Sequence, residues 1–298
     1  MSINQSPIFL TTFTHSKMQL SVTIFLLGLF TVASAVKHHL FVGTFTGPYL
    51  YALEFDDDDL TLTLTANIST PTWHQWIALS HNKTALYGVG PGSWYSYTVD
   101  NATSLTTSGT VSVVGDCPNP RPGSWGGGNG GAGFPGVETN GTSPPQGMFL
   151  TAATMAPYNV YGTTSSCGNI INVDANTGAL TAVTQNISYW DGSGMQGMTI
   201  SPDGRFLYAV DALTNSMWTY AVDHTTGKLY LLGVVDGPRA RSNPRHAAVH
   251  PNGRYLYVLL EETNELTQYD IDSEGMTGLP VWGNVTYPLI KPGSLLCF

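Results

Sequence analysis

Two stretches decide the fold: Ser201-Pro-Asp-Gly-Arg-Phe-Leu-Tyr208 and His250-Pro-Asn-Gly-Arg-Tyr-Leu-Tyr257. Each sets a Pro-Asx-Gly turn between two apolar runs, a strong short-range signal for a β-hairpin. The two copies begin 49 residues apart. A fainter copy, Ser80-His-Asn-Lys-Thr-Ala-Leu-Tyr87, begins 121 residues before the first. Between them lies an insert, 118–146, PNPRPGSWGGGNGGAGFPGVETNGTSPPQ, whose Gly/Pro/Ser content marks a solvated loop with no core to build. Removing about 25 residues of insert leaves two periods of about 48.

The repeat continues beyond the hairpin. Ser216-Met-Trp-Thr-Tyr-Ala-Val222 alternates as a third strand, Asp223-His-Thr-Thr-Gly227 turns, and Lys228-Leu-Tyr-Leu-Leu-Gly-Val234 is a fourth. Glu265–Ile271 with Asp272-Ser-Glu-Gly275, and Trp94–Val99 with Asp100, repeat the scheme. Four strands at this period are one blade of a β-propeller, so the expected fold is all-β, with four-stranded blades. A stacked β-solenoid is the rival, but its repeats are usually shorter.

Composition agrees. The chain has 298 residues, 42% hydrophobic and 10% charged, too apolar for a disordered chain. Gly (33) and Pro (18) are common, and no ten-residue helical stripe interrupts the alternation. A net charge of −9 argues against a nucleic-acid groove, which needs a basic stripe.

Residues 1–35 read as a leader and signal peptide, not as part of the fold. Lys17 precedes an apolar run, Val22 to Val32, that is short for a membrane span, and Ala33-Ser34-Ala35 has a small-x-small cleavage pattern. The expected product is secreted or in the cell wall, without a stable membrane span. The single propeller domain is then 36–298. N-x-S/T sequons at Asn67, Asn82, Asn101, Asn140, Asn186 and Asn284 fit a glycoprotein. An oxidising compartment favours one bridge among Cys117, Cys167 and Cys297; Cys117–Cys167 is the expected pair, and three buried free thiols are the alternative.

The phase of the repeat points to a site. Five residues before the first residue of each turn stand Gln75, Gln196 and Arg245. This slot opens the strand leading into the hairpin, the one nearest the central channel in a propeller. Counting outward from the turn at Asn252-Gly253 sets Arg245 opposite Leu260, with Glu261 at the same open end. Gln196, Arg245 and Glu261 are therefore expected at one channel mouth. The rival reading is a structural ion pair closing a blade. No metal is expected: His38-His39 lacks partners, and Asp56–Asp59 lacks the alternating ligands and glycine of a calcium loop. No cofactor is expected either, since Gly126–Gly133 lacks the Lys-Ser/Thr of a phosphate-binding loop.

Several segments in order resemble the fungal carboxy-cis,cis-muconate cyclases, members of the seven-bladed lactonase-type propeller family. They are His38–Thr46, Phe55–Asp58, Trp76, Pro157-Tyr-Asn-Val-Tyr161, Gly194-Met-Gln-Gly-Met198, Asn243-Pro-Arg-His246 and Pro288–Gly293. The resemblance implies an isomerase that interconverts 3-carboxy-cis,cis-muconate and its lactone without metal or cofactor. It also implies catalytic roles for Arg245 and Glu261, and for a His where this chain has Gln196. At about 48 residues per blade the chain makes about five blades, so a C-terminally shortened propeller is expected, with a further family Arg falling beyond Phe298.

An Arg fork suits a polycarboxylate, which it holds bidentately. Lactonisation adds a carboxylate oxygen across a conjugated double bond, and the adjacent carbon must take a proton. A His delivers that proton near neutral pH; an amide cannot, and a Glu paired with Arg is a poor donor. Cyclase activity is thus expected to be weak or lost. Two further readings stand beside the isomerase: a non-catalytic secreted or surface glycoprotein used for binding, and a 6-phosphogluconolactonase-like lactonase. The expected ligand is a small polycarboxylate or lactone in the channel; the sequence leaves the oligomeric state open.

Overall fold

The structure is a computed structural model that describes residues 36–115, 117, 144–276 and the strand Thr286–Pro288. The leader at 1–35, most of the 118–146 insert, Asn140, Asn284 and Cys297 lie outside the described residues.

Described strands form five antiparallel meanders, each in sequence order. Strands β1 (Lys37–Val42), β2 (Tyr49–Asp56) and β3 (Thr61–Ser69) make a three-stranded sheet. The other four sheets have four strands each. They are β4–β7 (Ile77–Leu79, Ala85–Gly90, Ser93–Asn101, Ser104–Ser112) and β8–β11 (Phe149–Ala152, Val160–Thr163, Cys167–Val173, Leu180–Ser188). Then come β12–β15 (Met195–Ile200, Phe206–Asp211, Ser216–Val222, Leu229–Asp236) and β16–β19 (Pro244–Val249, Tyr255–Leu260, Glu265–Asp270, Thr286–Pro288). No helix among the described residues is long and apolar enough to cross a membrane.

The chain divides into two compact units, Met1–His38 with Phe55–Leu62, and His39–Glu54 with Thr63–Phe298. In the first, Asp57 accepts from the Val36 backbone N–H at 2.8 Å and pairs with His38 at 3.2 Å. Asp56 Oδ1 caps the backbone N–H groups of Asp58 and Asp59, so the acidic run is a turn stabilised by its own carboxylate. All four four-stranded sheets lie in the second unit.

The hairpin turns follow the sequence. Ser201 donates to Asp203 at 2.6 Å and accepts from Phe206 N–H; Ser80 does the same with Asn82 and Ala85. The fourth turn residue is left-handed in every copy: Gly204 at φ 71°, Gly253 at 73° and Lys83 at 60°. Only glycine adopts that conformation without strain, which is why the copy bearing Lys83 looks faint. The sheet β8–β11 carries the copy that no motif marks. Its first turn, Ala153–Asn159, lacks Asx-Gly and is one residue longer, closed by Ala153 N–H to Asn159 O at 2.9 Å.

The four four-stranded sheets are joined in succession by one repeated contact. Tyr87 donates to Gly178 O at 3.0 Å, Tyr161 to Gly227 O at 3.0 Å and Tyr208 to Gly275 O at 2.9 Å. Each tyrosine lies on the second strand of its sheet. Each glycine, at positive φ, ends the turn between the third and fourth strands of the next. Burial holds the Tyr87 phenol up at about 12 and raises those of Tyr161 and Tyr208 as well, so all three stay protonated donors. Around them the sheets bury Trp94, Trp218, Leu86, Ile170 and Leu256. A disulfide joins Cys117 to Cys167, the first residue of β10, with Cα atoms 5.5 Å apart. Closing a loop of that size contributes on the order of 4 kcal/mol through the unfolded chain.

His74, fully buried, is a structural histidine. Its Nδ1 donates to Val89 O at 2.7 Å, so its Nε2 accepts from the Tyr97 hydroxyl at 2.6 Å. Burial lowers its pKa below 6.5, so it stays neutral in the fold.

Two outcomes follow from these contacts. Tyr208→Phe leaves a buried carbonyl without its donor and should lower unfolding free energy by about 1–2 kcal/mol. Tyr257→Phe, at the same position of the β16–β19 sheet but with no such acceptor described, should change it by less than about 0.5 kcal/mol, as read by urea denaturation. The neutral His74 binds a proton more weakly than the unfolded chain does, so stability should decline as pH falls from about 6.5 toward its lower folded pKa. The urea midpoint is expected to drop between pH 7 and pH 5, and to drop less in His74→Gln.

Candidate functional site

The first strands β4, β8, β12 and β16 stand side by side in chain order. Two of them are irregular at the same place. In β12 the register runs from Met195↔Asp211 to Gly197↔Val210, leaving Gln196 as an extra residue. In β16 it runs from Pro244↔Leu260 to His246↔Leu259, leaving Arg245 extra. Gln196 and Arg245 are therefore the bulged residues of neighbouring first strands. A bulge breaks the alternation of a strand and re-aims its side chains.

The three sequence-predicted residues fall as follows. Arg245 Nη1 donates to Glu261 Oε2 at 2.8 Å, and both side chains are about a third exposed (31% and 27%). Glu261 sits just past β17, and its backbone N–H bonds Asn243 O at 3.0 Å, which fixes it beside the start of β16. Gln196 is buried at 6% exposure, and its Nε2 has no hydrogen-bond partner among the described residues. It belongs to β12, the strand next to the β16 strand that carries Arg245. Gln75 is spent differently, donating to Gly147 O at 3.0 Å and so tying β4 to the entry of β8. The remaining member of this slot in the four-stranded sheets is Met148, so the slot is not polar in every sheet.

The next position along the same strands carries the residues that sequence reasoning missed. It holds Trp76, Phe149, Gly197 and His246. The Trp76 and Phe149 ring centroids are 4.2 Å apart, and the His246 imidazole stacks on Trp76 at 5.2 Å with a 25° interplanar angle. Phe149 and His246 are 6.3 Å apart. Side chains from three sheets thus meet where the first strands face one another. Gly197 makes the approach possible: a Cβ there would lie 2.6 Å from Arg245 O and 3.1 Å from His246 Cα. His246 is half-buried, and its pKa is lowered by burial and by the Arg245 guanidinium, with Glu261 opposing. The signal that could have found it is its place in Asn243-Pro-Arg-His246, directly after Arg245. Strict alternation would send adjacent side chains to opposite faces, and only the bulge brings both into one electrostatic neighbourhood.

No group of three or more His, Cys, Asp or Glu able to hold a metal occurs among the described residues. The sequons at Asn67, Asn82, Asn101 and Asn186 are all exposed. At Asn82 and Asn101 the Thr two residues on donates both its N–H and its hydroxyl to the Asn Oδ1.

The close strand approach gives a direct check. Gly197→Ala should force β16 back from β12 and lower stability by about 1–3 kcal/mol, because the clash is with backbone and not with a side chain that can turn away. Fluorescence of Trp76, packed against His246, should shift with it. An unaltered melting curve and spectrum would contradict this geometry.

Comparison with known proteins places the fold and its kinship. Residues 165–279 match the family described as Lactonase, 7-bladed beta-propeller. Over 263 residues, 86% of this chain, the sequence is 32% identical to carboxy-cis,cis-muconate cyclase of Neurospora crassa, and the chain spans 66% of that protein's length. Among solved structures, a Lactobacillus plantarum protein superposes with a TM-score of 0.67 at 20% identity, covering 87% of this chain and 70% of the other. The Pseudomonas aeruginosa periplasmic gluconolactonase PpgL superposes with a TM-score of 0.62 at 17% identity, also over 87% and 70%. With its meandering four-stranded sheets and these likenesses, the chain has an all-β propeller fold, and it is similar to the lactonase-type propeller family over residues 165–279 and to the muconate cyclase over 86% of its length.

Proposed function

We propose that this propeller binds a small polycarboxylate or its lactone at the Arg245–Glu261 end of the first strands and interconverts the two, slowly, outside the cytosol. The observation that carries this reading is the partly exposed Arg245–Glu261 pair at the bulge of β16, beside the aromatic stack of Trp76 and Phe149. A guanidinium fork held in place by a carboxylate is suited to gripping a substrate carboxyl, and flat aromatic faces suit a conjugated or cyclic acid. The N. crassa relative is named for a muconate cyclase and PpgL for a gluconolactonase, and both names describe lactone chemistry. The first supports 3-carboxy-cis,cis-muconate as the substrate to try. The buried carboxamide of Gln196 can hydrogen-bond a ligand but cannot shuttle a proton, which supports slow turnover. The Cys117–Cys167 bridge and the exposed sequons support an oxidising, extracellular setting.

A second reading, a surface glycoprotein that binds a similar ligand without turning it over, is favoured by that same Gln196. Calorimetric titration of the full-length protein with propane-1,2,3-tricarboxylate and with 3-carboxymuconate tests the shared claim. Binding is expected, and Arg245→Gln should weaken it about 10- to 100-fold, the loss of one charge-assisted pair of hydrogen bonds. Equal affinity in Arg245→Gln and wild type would contradict the site. Ultraviolet absorbance of 3-carboxymuconate separates the readings: slow decay supports turnover, and a stable spectrum with binding supports the glycoprotein.

A further inference from the structure

We infer that His246 is the proton-transfer group of this site, doing what the carboxamide of Gln196 cannot; the inference rests on the ligand reading above. Three observations carry it. First, position: His246 follows Arg245 at the bulge and reaches the meeting point of the first strands, stacked on Trp76 at 5.2 Å. A carboxylic acid gripped by Arg245 would lie against the same imidazole. Second, availability: His246 has no hydrogen-bond partner among the described residues, whereas both ring nitrogens of His74 are engaged. The half-buried ring is anchored by stacking and keeps its nitrogens for a ligand. Third, charge: the ionisable groups acting on it are Arg245 and Glu261. Its ring neighbours Trp76 and Phe149 carry no charge, and Gln75 and Gln196 nearby along the first strands are amides. Burial and Arg245 keep the imidazole neutral at neutral pH, the form that accepts a proton.

The step balances without a co-reactant. In ring opening, an imidazole nitrogen takes the proton from the carbon next to the carboxyl group held by Arg245. The C–H electron pair becomes the new C=C bond. The ring C–O bond breaks, and its pair leaves on the oxygen of the released carboxylate. In closure the C–O bond forms across the double bond and the imidazolium returns the proton to that carbon. A neutral imidazole starts the opening direction, so opening should rise with pH through the lowered His246 pKa, and closure should fall.

The test uses the full chain, with proton exchange as a readout independent of net turnover. Wild type is incubated in D2O with 3-carboxymuconolactone, and deuterium entry at the acidic carbon is followed by NMR. At saturating ligand, His246→Gln should lose exchange by about 10²–10⁴-fold, the worth of a general acid–base group. Exchange at wild-type rates in His246→Gln overturns the inference, and so does a wild type that binds but never exchanges. A wild type that binds no tricarboxylate removes the ligand reading, and the inference falls with it. Should His246→Gln not fold, the His246 C–H resonance in wild type decides. Saturating tricarboxylate must raise its titration midpoint, and an unmoved midpoint overturns the role.

Discussion

Sheets with hydrophobic faces stack readily but slide, and what fixes these sheets is a tyrosine hydroxyl. Tyr87, Tyr161 and Tyr208 each donate to the carbonyl of a glycine in the neighbouring sheet, Gly178, Gly227 and Gly275. The acceptor is presented by a turn that an Asp opens and a left-handed glycine closes, so the local chemistry of one sheet sets its angle to the previous one. A phenol can do this because it combines a large apolar ring, which the interface buries, with one polar tip that must be satisfied. The contact is directional where the surrounding apolar burial is not. It gives each of the four-stranded sheets one register against the next.

Everything at the candidate site inherits that register. With the sheets fixed, the first strands approach closely enough that Gly197 cannot carry a side chain, and residues at one position of the repeat meet as Trp76, Phe149 and His246. The bulges at Gln196 and Arg245 then add what regular strands could not. They place a cation, a carboxylate and an imidazole within one electrostatic neighbourhood at the edge of an aromatic floor. Outer strands vary in length and exposure without disturbing this end, which separates the part of each sheet that specifies the fold from the part that carries the candidate site.

Much of this was legible in the residues. Ser201–Tyr208 and His250–Tyr257 announce their hairpins because Asx-Gly chemistry is local. Strand β14 occupies Ser216–Val222, where alternation put it. The pairing of Arg245 with Glu261 followed from counting away from Asn252-Gly253. Other features were hidden by physics that a linear reading cannot see. The turn at Ala153–Asn159 has no glycine to betray it. A bulge is one extra residue, invisible to a period-2 count, so the neighbourhood that His246 shares with Arg245 cannot be read from the linear pattern. Gln75 shares a slot with Gln196, yet its amide is spent on Gly147, because Met148 is its neighbour there. The tyrosines stood in every copy of the repeat, but their partners lie about 70–90 residues away and emerge only when the sheets are side by side.

At one end of the first strands a cation fixed by a carboxylate stands next to an imidazole stacked on Trp76, an arrangement suited to receiving an acid. A crystal structure of the protein with propane-1,2,3-tricarboxylate tests it most directly. The account predicts one carboxylate on the Arg245 guanidinium and another part of the ligand within hydrogen-bonding distance of His246, over Trp76. A ligand seated elsewhere, with Arg245, Glu261 and His246 unmoved and untouched, would contradict it.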